Sequence, residues 1–271
     1  MTNAIHRRFE AGRDAVRWSP DRYDRYRVPT PQSIVETALR ITRERPRLVV
    51  DVGAGTGLST RCWAPVADDV IGIEPSDAMR AEAVKRTSLP NVHFQQGLGH
   101  STGLADACVD IVSCSSALHW MNPEFFPAEV LRILRVGGVL CAFWHRYPHA
   151  IDAWVVSRAY QAFQSEVNRF TVSHSSALRS WAWPEATKTF RANAGFRYVE
   201  ELAFHVEKSW TFETFIGWVN TIGALNAPLD VDSAADPRPA LLAELMRTVE
   251  PYFAGNPLIF HLTYPTLIAV R

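Results

Sequence analysis

From residue 47 onward the chain repeats one pattern: a short apolar run, a turn rich in glycine, proline or aspartate, then a stretch with helical spacing. The apolar runs are Leu48–Val52, interrupted only by Asp51, then 70–73, a weaker 92–94, 110–114 and 139–144. Runs this continuous fit parallel strands buried on both faces. A helix is predicted before them over 33–43, with Ile34, Leu39 and Ile41 as apolar positions. The clearest helix between strands covers 123–135, with Phe126, Val130, Ile133 and Leu134 on one side and Gly137 and Gly138 to end it. Strand and helix in alternation predict a doubly wound α/β sheet.

The flanks read differently. Residues 1–30 are polar and aromatic, with Phe9, Trp18, Tyr23 and Tyr26, and resemble a helical arm or lid closed by Pro29 and Pro31. Past the fifth strand, 148–194 read as helices rich in aromatics, including Trp154, Tyr160, Phe163, Trp181, Trp183 and Phe190. A sixth strand is expected over 198–206, a helical insert over 211–223, a linker with Pro228, Pro237 and Pro239, a helix over 239–250 and a closing strand over 260–270. The expected organisation is a single domain over 1–271, with an arm at 1–30, a cofactor-binding half at 31–147 and a substrate-side half at 148–271.

Composition narrows the function. Lys and Arg number 28 and so do Asp and Glu, so the formal charge is zero and no overall field favours nucleic acid or an anionic membrane. Neither partner is expected, and nothing fixes the oligomeric state. The four cysteines, Cys62, Cys108, Cys114 and Cys141, form no CxxC pair and read as small core residues, with no metal site. No apolar signal-peptide core or stretch of about 20 apolar residues is present, so the cytoplasm is the expected location.

The chemistry begins at Asp51-Val-Gly53-Ala-Gly55-Thr-Gly57, after the first strand and before an expected helix. Glycines there let backbone approach a ligand closely. Glu74 ends the second strand, where an acid accepts both ribose hydroxyls of an adenosine. A dinucleotide fingerprint needs G-x-G-x-x-G, yet the sixth position counted from Gly53 is Leu58. Asp51 two residues before the turn suits a cationic ligand better than a pyrophosphate. S-adenosylmethionine carries a sulfonium and an ammonium and no phosphate, so it fits better than NAD. Two other readings stay open: an NAD-dependent oxidoreductase, and a cofactor-binding protein or cyclase without methyl transfer. No Asn-Pro-Pro-Tyr-like motif for a flipped base follows the fourth strand; Ser115-Ser-Ala-Leu-His-Trp120 stands there.

On these residues the chain resembles the class I S-adenosylmethionine-dependent methyltransferases, in the small-molecule branch that includes trans-aconitate methyltransferases. The matching segments are Val49 to Gly57, Val70-Ile-Gly-Ile-Glu-Pro-Ser-Asp-Ala-Met79, Ala105-Asp-Ala-Cys-Val-Asp110, Ala117-Leu-His-Trp120 and Glu129 to Gly138, with Tyr26-Arg-Val-Pro29 in the arm. The resemblance covers about 20–145. It implies a Rossmann-like sheet of seven strands, the last antiparallel, with the helical inserts as lids. It also implies that Gly53, Gly55 and Gly57 line the methionine and ribose side and that Asp51 reaches the amino group through water. Glu74 would hold the ribose, Pro75 and Met79 would flank the adenine, and Ser115 would contribute at the end of strand four. Arg27 is the candidate for the methionine carboxylate. Leu98 departs from the family pattern, which has an acid there for the adenine amino group; backbone N–H groups of Gly99 or His100 remain to meet N1. His119 is the candidate general base, His145 the reserve, and His149 a more distant third. The aromatics read mainly as core or lid packing, with a water-excluding roof over the methyl as their functional role.

Overall fold

The computed structural model describes residues 18–150, 152–178, 183–227 and 236–271. Phe9, Trp181 and Pro228, which the sequence places in the arm, an aromatic helix and the linker, lie outside the described residues. The strands in chain order are β1 (Leu48–Val52), β2 (Asp69–Ile73), β3 (Val92–Gln95), β4 (Val109–Ser115), β5 (Leu134–Phe143), β6 (His149–Ala150), β7 (Tyr198–Trp210) and β8 (Leu258–Val270). The chain divides into two compact units. One, the sheet unit, is Val28–His145 with Ser180–Phe204 and Tyr264–Arg271; the other, the helical unit, is Met1–Arg27, Arg146–Arg179 and His205–Thr263.

In the sheet unit β3, β2, β1, β4 and β5 run parallel in that order, β8 follows antiparallel to β5, and β7 pairs with β8. This is the expected doubly wound sheet with its last strand reversed. Val49, Val50 and Val52 of β1 and Ile111 and Val112 of β4 are all buried, as strands covered on both faces require. Helix Gln32–Thr42 buries Ile34, Val35 and Ala38, and helix Phe126–Ile133 buries Phe126, Val130 and Ile133. Each of the Ile, Val and Phe side chains removed from water contributes about 1.5–3 kcal/mol. β2 and β3 lie on one side of β1, with β4 and β5 on the other. That reversal opens a crevice at the carboxyl ends of β1 and β4, where open α/β sheets take their ligands.

Three expectations are corrected here. The helix expected over 123–135 is Phe126–Ile133, and β5 begins at once with Leu134. Gly137 and Gly138 therefore do not end a helix. The register jumps from Val109↔Leu134 to Ile111↔Val139, so residues 135–138 bulge. Gly137, at φ +78°, donates its N–H to the Arg271 carbonyl at 2.8 Å. Arg135 pairs with Asp110 across the bulge. The helix expected directly after the glycine turn is only Thr60–Trp63, because Pro65 has no N–H to continue it. Among the described residues eight strands stand where seven were expected; the extra one is β6, whose two residues pair with β8 at His261 and Phe260. Two residues leave no apolar run to read.

The helical unit packs through aromatics. Helix Trp154–Leu178 lies against helices Arg238–Phe253 and Gly223–Asn226. The insert expected over 211–223 is broken into Phe212–Val219 and Gly223–Asn226. Helix Pro20–Tyr26 of the arm lies on Phe212–Val219, so closely that a Cβ at Gly217 would fall 2.3 Å from the Tyr26 ring. Tyr26 Oη donates to Glu213 Oε1 at 3.1 Å. Trp210, Phe215, Trp218 and Phe260 are buried together, with Phe215 stacked on Phe260 at 5.1 Å. Trp154 departs from the expected packing role and is 67% exposed. Among the described residues no helix is long and apolar enough to cross a membrane.

Candidate cofactor and active site

The turn after β1 is fixed from below. The N–H groups of Gly53 and Ala54 both donate to the Ile73 carbonyl, at 2.9 and 3.1 Å. Gly53 sits at φ +75°, and a Cβ there would come within 2.5 Å of the Ala117 Cβ. Gly57, at φ +79°, would place one 2.6 Å from the Phe94 ring. Both positions exclude any side chain, by conformation and by contact. Gly55 differs: nothing lies within 4 Å of its Cβ position, so the turn is open there.

Glu74 stands beside that opening. It is 7% exposed, and its two oxygens accept backbone N–H groups from Gly55 at 2.8 Å and from Ser76 at 2.9 Å. An ionised carboxylate is an acceptor only, through two oxygens, which is the chemistry a pair of ribose hydroxyls needs. Ser76 caps helix Asp77–Arg86 by accepting from the Met79 N–H, which buries Met79 under the segment that follows Glu74. Pro75, between the acid and the cap, is half-buried.

Asp51 is fully buried beneath the turn. Its Oδ2 accepts from the Ser59 and Thr60 hydroxyls, at 2.6 and 2.7 Å. Burial pushes its pKa up, and the Ser59, Thr60 and Ser113 hydroxyls oppose that rise. Sequence reasoning did not single out these hydroxyls. Their signal was present, because Ser59 and Thr60 follow the glycines directly and Ser113 is the β4 partner of Asp51.

The loop after β3 completes this edge. Leu98 and Ser101 exchange backbone bonds, which turns the chain at Gly99 and His100. The Gly99 Cβ position lies 2.3 Å from Met121 Sδ, so the loop rests on the segment after β4. A second residue missed by the sequence reading anchors the far end. Glu129 accepts from both the N–H and the hydroxyl of Thr102, at 2.9 and 2.5 Å, and pairs with Arg132. Burial acts to raise the Glu129 pKa, but the Arg132 and Thr102 hydrogen bonds outweigh it and pull it down to about 2. Ser115 closes β4 opposite Phe143. His119 follows in the short helix Leu118–Trp120, half-buried, with its ring 5.0 Å from that of Trp120. His145, two residues past β5, lies 6.1 Å from the Tyr264 ring.

The structure thus brings Asp51, the three glycines and Glu74 to the adjacent ends of β1 and β2, with Gly55 bonded to Glu74, and sets Gly99, His100, Ser115 and His119 after the ends of the neighbouring strands. Arg27 belongs to the helical unit, where its Nη2 donates to the Thr221 carbonyl at 2.7 Å and its guanidinium lies 4.9 Å from the Tyr23 ring centre.

A switch point in the strand order, a glycine turn after β1 and an acid at the end of β2 are the features of a nucleoside-binding α/β sheet. Residues 50–142 match the family model described as a methyltransferase domain. The Saccharomyces cerevisiae protein CRG1, itself a provisional S-adenosylmethionine-dependent methyltransferase, is 30% identical over 135 residues, 48% of this chain and 46% of that protein. Trans-aconitate 2-methyltransferase of Acidovorax ebreus is 33% identical over 131 residues, 45% of this chain and 48% of that protein. The chain spans about half the length of the curated relatives it matches. Among solved structures, an Anaeromyxobacter dehalogenans protein provisionally described as a type II methyltransferase aligns over 90% of this chain and 97% of its own, with a TM-score of 0.65 and 22% identity. That likeness is one of fold.

Proposed function

We propose that this protein transfers the methyl group of S-adenosylmethionine to an oxygen, nitrogen or carbon of a small organic acceptor, in the cytoplasm. The observation that carries the reading is Glu74, a buried carboxylate bonded to the Gly55 N–H beside the open face of the turn. In this reading Glu74 holds the ribose, and Gly53, Gly55 and Gly57 give the ligand a close backbone floor. Asp51 supplies negative charge beneath the ammonium end, and Pro75 and Met79 bound the adenine. Gly99 and His100 offer backbone N–H groups to its N1, and Ser115 lines the edge. When bound, the cofactor supplies an activated methyl on a sulfonium.

The chain's own contribution is to align acceptor and donor and to take up a proton. Alignment alone accounts for a large share of such rate gains. His119 is the residue we assign as base: it sits at the carboxyl edge of the sheet, and an imidazole titrates near neutrality when unperturbed. His145 is the alternative. The zero net charge and the trans-aconitate relative favour a small acceptor over nucleic acid or a membrane. Calorimetry with S-adenosylhomocysteine and with NAD, followed by a methyl-transfer assay over a panel of small acceptors, tests the reading. Tight NAD binding with no response to S-adenosylhomocysteine would overturn it.

A further inference from the structure

Glu74 is held through its main chain as well as its side chain. Its N–H donates to the Gln95 carbonyl at 3.1 Å, its Oε1 accepts from the Ser76 N–H and its Oε2 from the Gly55 N–H. That leaves its main-chain carbonyl. Residue 75 is proline and has no N–H, so this carbonyl is the one hydrogen-bonding handle on the peptide plane between residues 74 and 75. Arg80, in the first turn of helix Asp77–Arg86, reaches back and donates to it from Nη1 at 2.9 Å.

The guanidinium is held in turn. Its Nη2 donates to Asp77, three residues earlier on the same helix. The Arg80 side chain is 21% exposed and that of Asp77 84%, so the ion pair itself adds little stability. Its effect is to orient. A guanidinium is a rigid planar fork, and fixing one arm on Asp77 aims the other at the Glu74 carbonyl. Rotation of the 74–75 plane would carry the Ser76 N–H away from Oε1 and turn the carboxylate out of the direction that Gly55 and Ser76 impose on it.

We infer that Arg80 is a positioning residue for cofactor binding: by fixing the Glu74–Pro75 peptide plane it aims the Glu74 carboxylate at a vicinal pair of ribose hydroxyls. The inference rests on the reading in which Glu74 holds the ribose. The rival role for an arginine close behind such an acid is to meet the 2′-phosphate of NADP. Both arms of this fork are engaged by the protein, which disfavours that role.

The test is calorimetry on the full chain with S-adenosylhomocysteine, its 2′-deoxy analogue and NADP. The parent should prefer S-adenosylhomocysteine to the deoxy analogue. Arg80→Ala should weaken S-adenosylhomocysteine binding by about 3–10-fold, the scale of one hydrogen bond, and the deoxy analogue less, so that the preference shrinks. Arg80→Lys, a point charge without a fork, should fall between. In the Glu74→Ala background Arg80→Ala should add little, because the two residues act through one group. Unchanged affinity in Arg80→Ala, equal losses for both ligands, or additive effects of the two substitutions overturns the inference, since a residue that only stabilises the fold gives no ribose-dependent loss. If Arg80→Ala does not fold, Arg80→Lys decides by the same ratio, and a preference at the parent value overturns the inference. A parent that binds S-adenosylhomocysteine with no preference for the hydroxyl ends the roles of Glu74 and Arg80 and leaves the methyl-transfer reading standing. NADP binding by the parent that Arg80→Ala abolishes, with no binding of S-adenosylhomocysteine, overturns both.

Discussion

In the sheet unit the buried carboxylates Asp51, Glu74, Asp110 and Glu129 each accept from donors close at hand, though one Asp51 oxygen, Oδ1, has no partner. Asp51 takes the Ser59 and Thr60 hydroxyls, Glu74 the Gly55 and Ser76 N–H groups, and Glu129 the Thr102 groups and Arg132. Asp110 takes the Arg47 and Leu48 N–H groups as well as Arg135. In the helical unit the aromatic core instead surrounds Tyr160 and Gln164 without pairing their donors. The first arrangement holds a backbone floor in one shape before any ligand arrives. The second sets polar groups inside an aromatic core; buried atoms without partners also occur in the sheet unit, at Asp51 Oδ1 and Thr56.

The largest effect expected concerns chemistry at the preformed edge. His119→Ala should lower turnover by about 10²–10⁴-fold while S-adenosylhomocysteine affinity stays near the parent value. Steady-state kinetics with a competent acceptor measures it, and a change of only a few-fold would pass the role to His145 or leave alignment alone. Glu74→Ala should weaken S-adenosylhomocysteine binding by about 1–3 kcal/mol, since ribose hydroxyls and two backbone N–H groups lose their acceptor. Calorimetry on a variant with parent-like circular dichroism checks this; unchanged affinity would remove Glu74 from the site.

Two glycines sharpen the contrast between floor and open face. Gly53→Ala should cost about 1–3 kcal/mol of stability, because the added Cβ meets Ala117 at 2.5 Å in a left-handed backbone. Gly55→Ala carries only the conformational cost, about 1 kcal/mol, because space is open there. It should nonetheless weaken cofactor binding, and urea titrations beside calorimetry separate the two effects. Equal losses of stability at both positions would show that the open face is not open.

An effect of comparable size is the pH dependence of Glu129. Its folded pKa, about 2, lies below the ordinary 4.5, so its contribution is present above that ordinary value and is lost as pH falls toward about 2. Glu129→Gln should cost about 1–2 kcal/mol at neutral pH, with the gap closing in acid. Urea midpoints measured across that range test it, and a pH-independent gap would mean that packing, not charge, is what Glu129 supplies.

The core of the sheet was readable because parallel strands covered on both faces leave uninterrupted apolar runs, as at Leu48–Val52. The glycine turn and Glu74 were readable because spacing along the chain and position at a strand end carry their chemistry. The bulge at 135–138 was not, because Gly-Gly after an amphipathic stretch ends a helix and permits a bulge equally well. Only the pairing of Ile111 with Val139 distinguishes the two. β6 was missed because two residues make no pattern.

What the sequence determined by itself is local: the alternation of elements, the turn from Asp51 to Gly57, and an acid at the end of the second apolar run. What only the tertiary structure decided is which distant groups meet. Thr102 finds Glu129 27 positions along the chain, and Tyr26 finds Gly217 across most of it. Tyr160 and Gln164 are legible as a helical pair, but not as donors without partners. Periodicity reports which face of a helix is buried, whereas hydrogen-bond satisfaction depends on what the rest of the chain brings to that face.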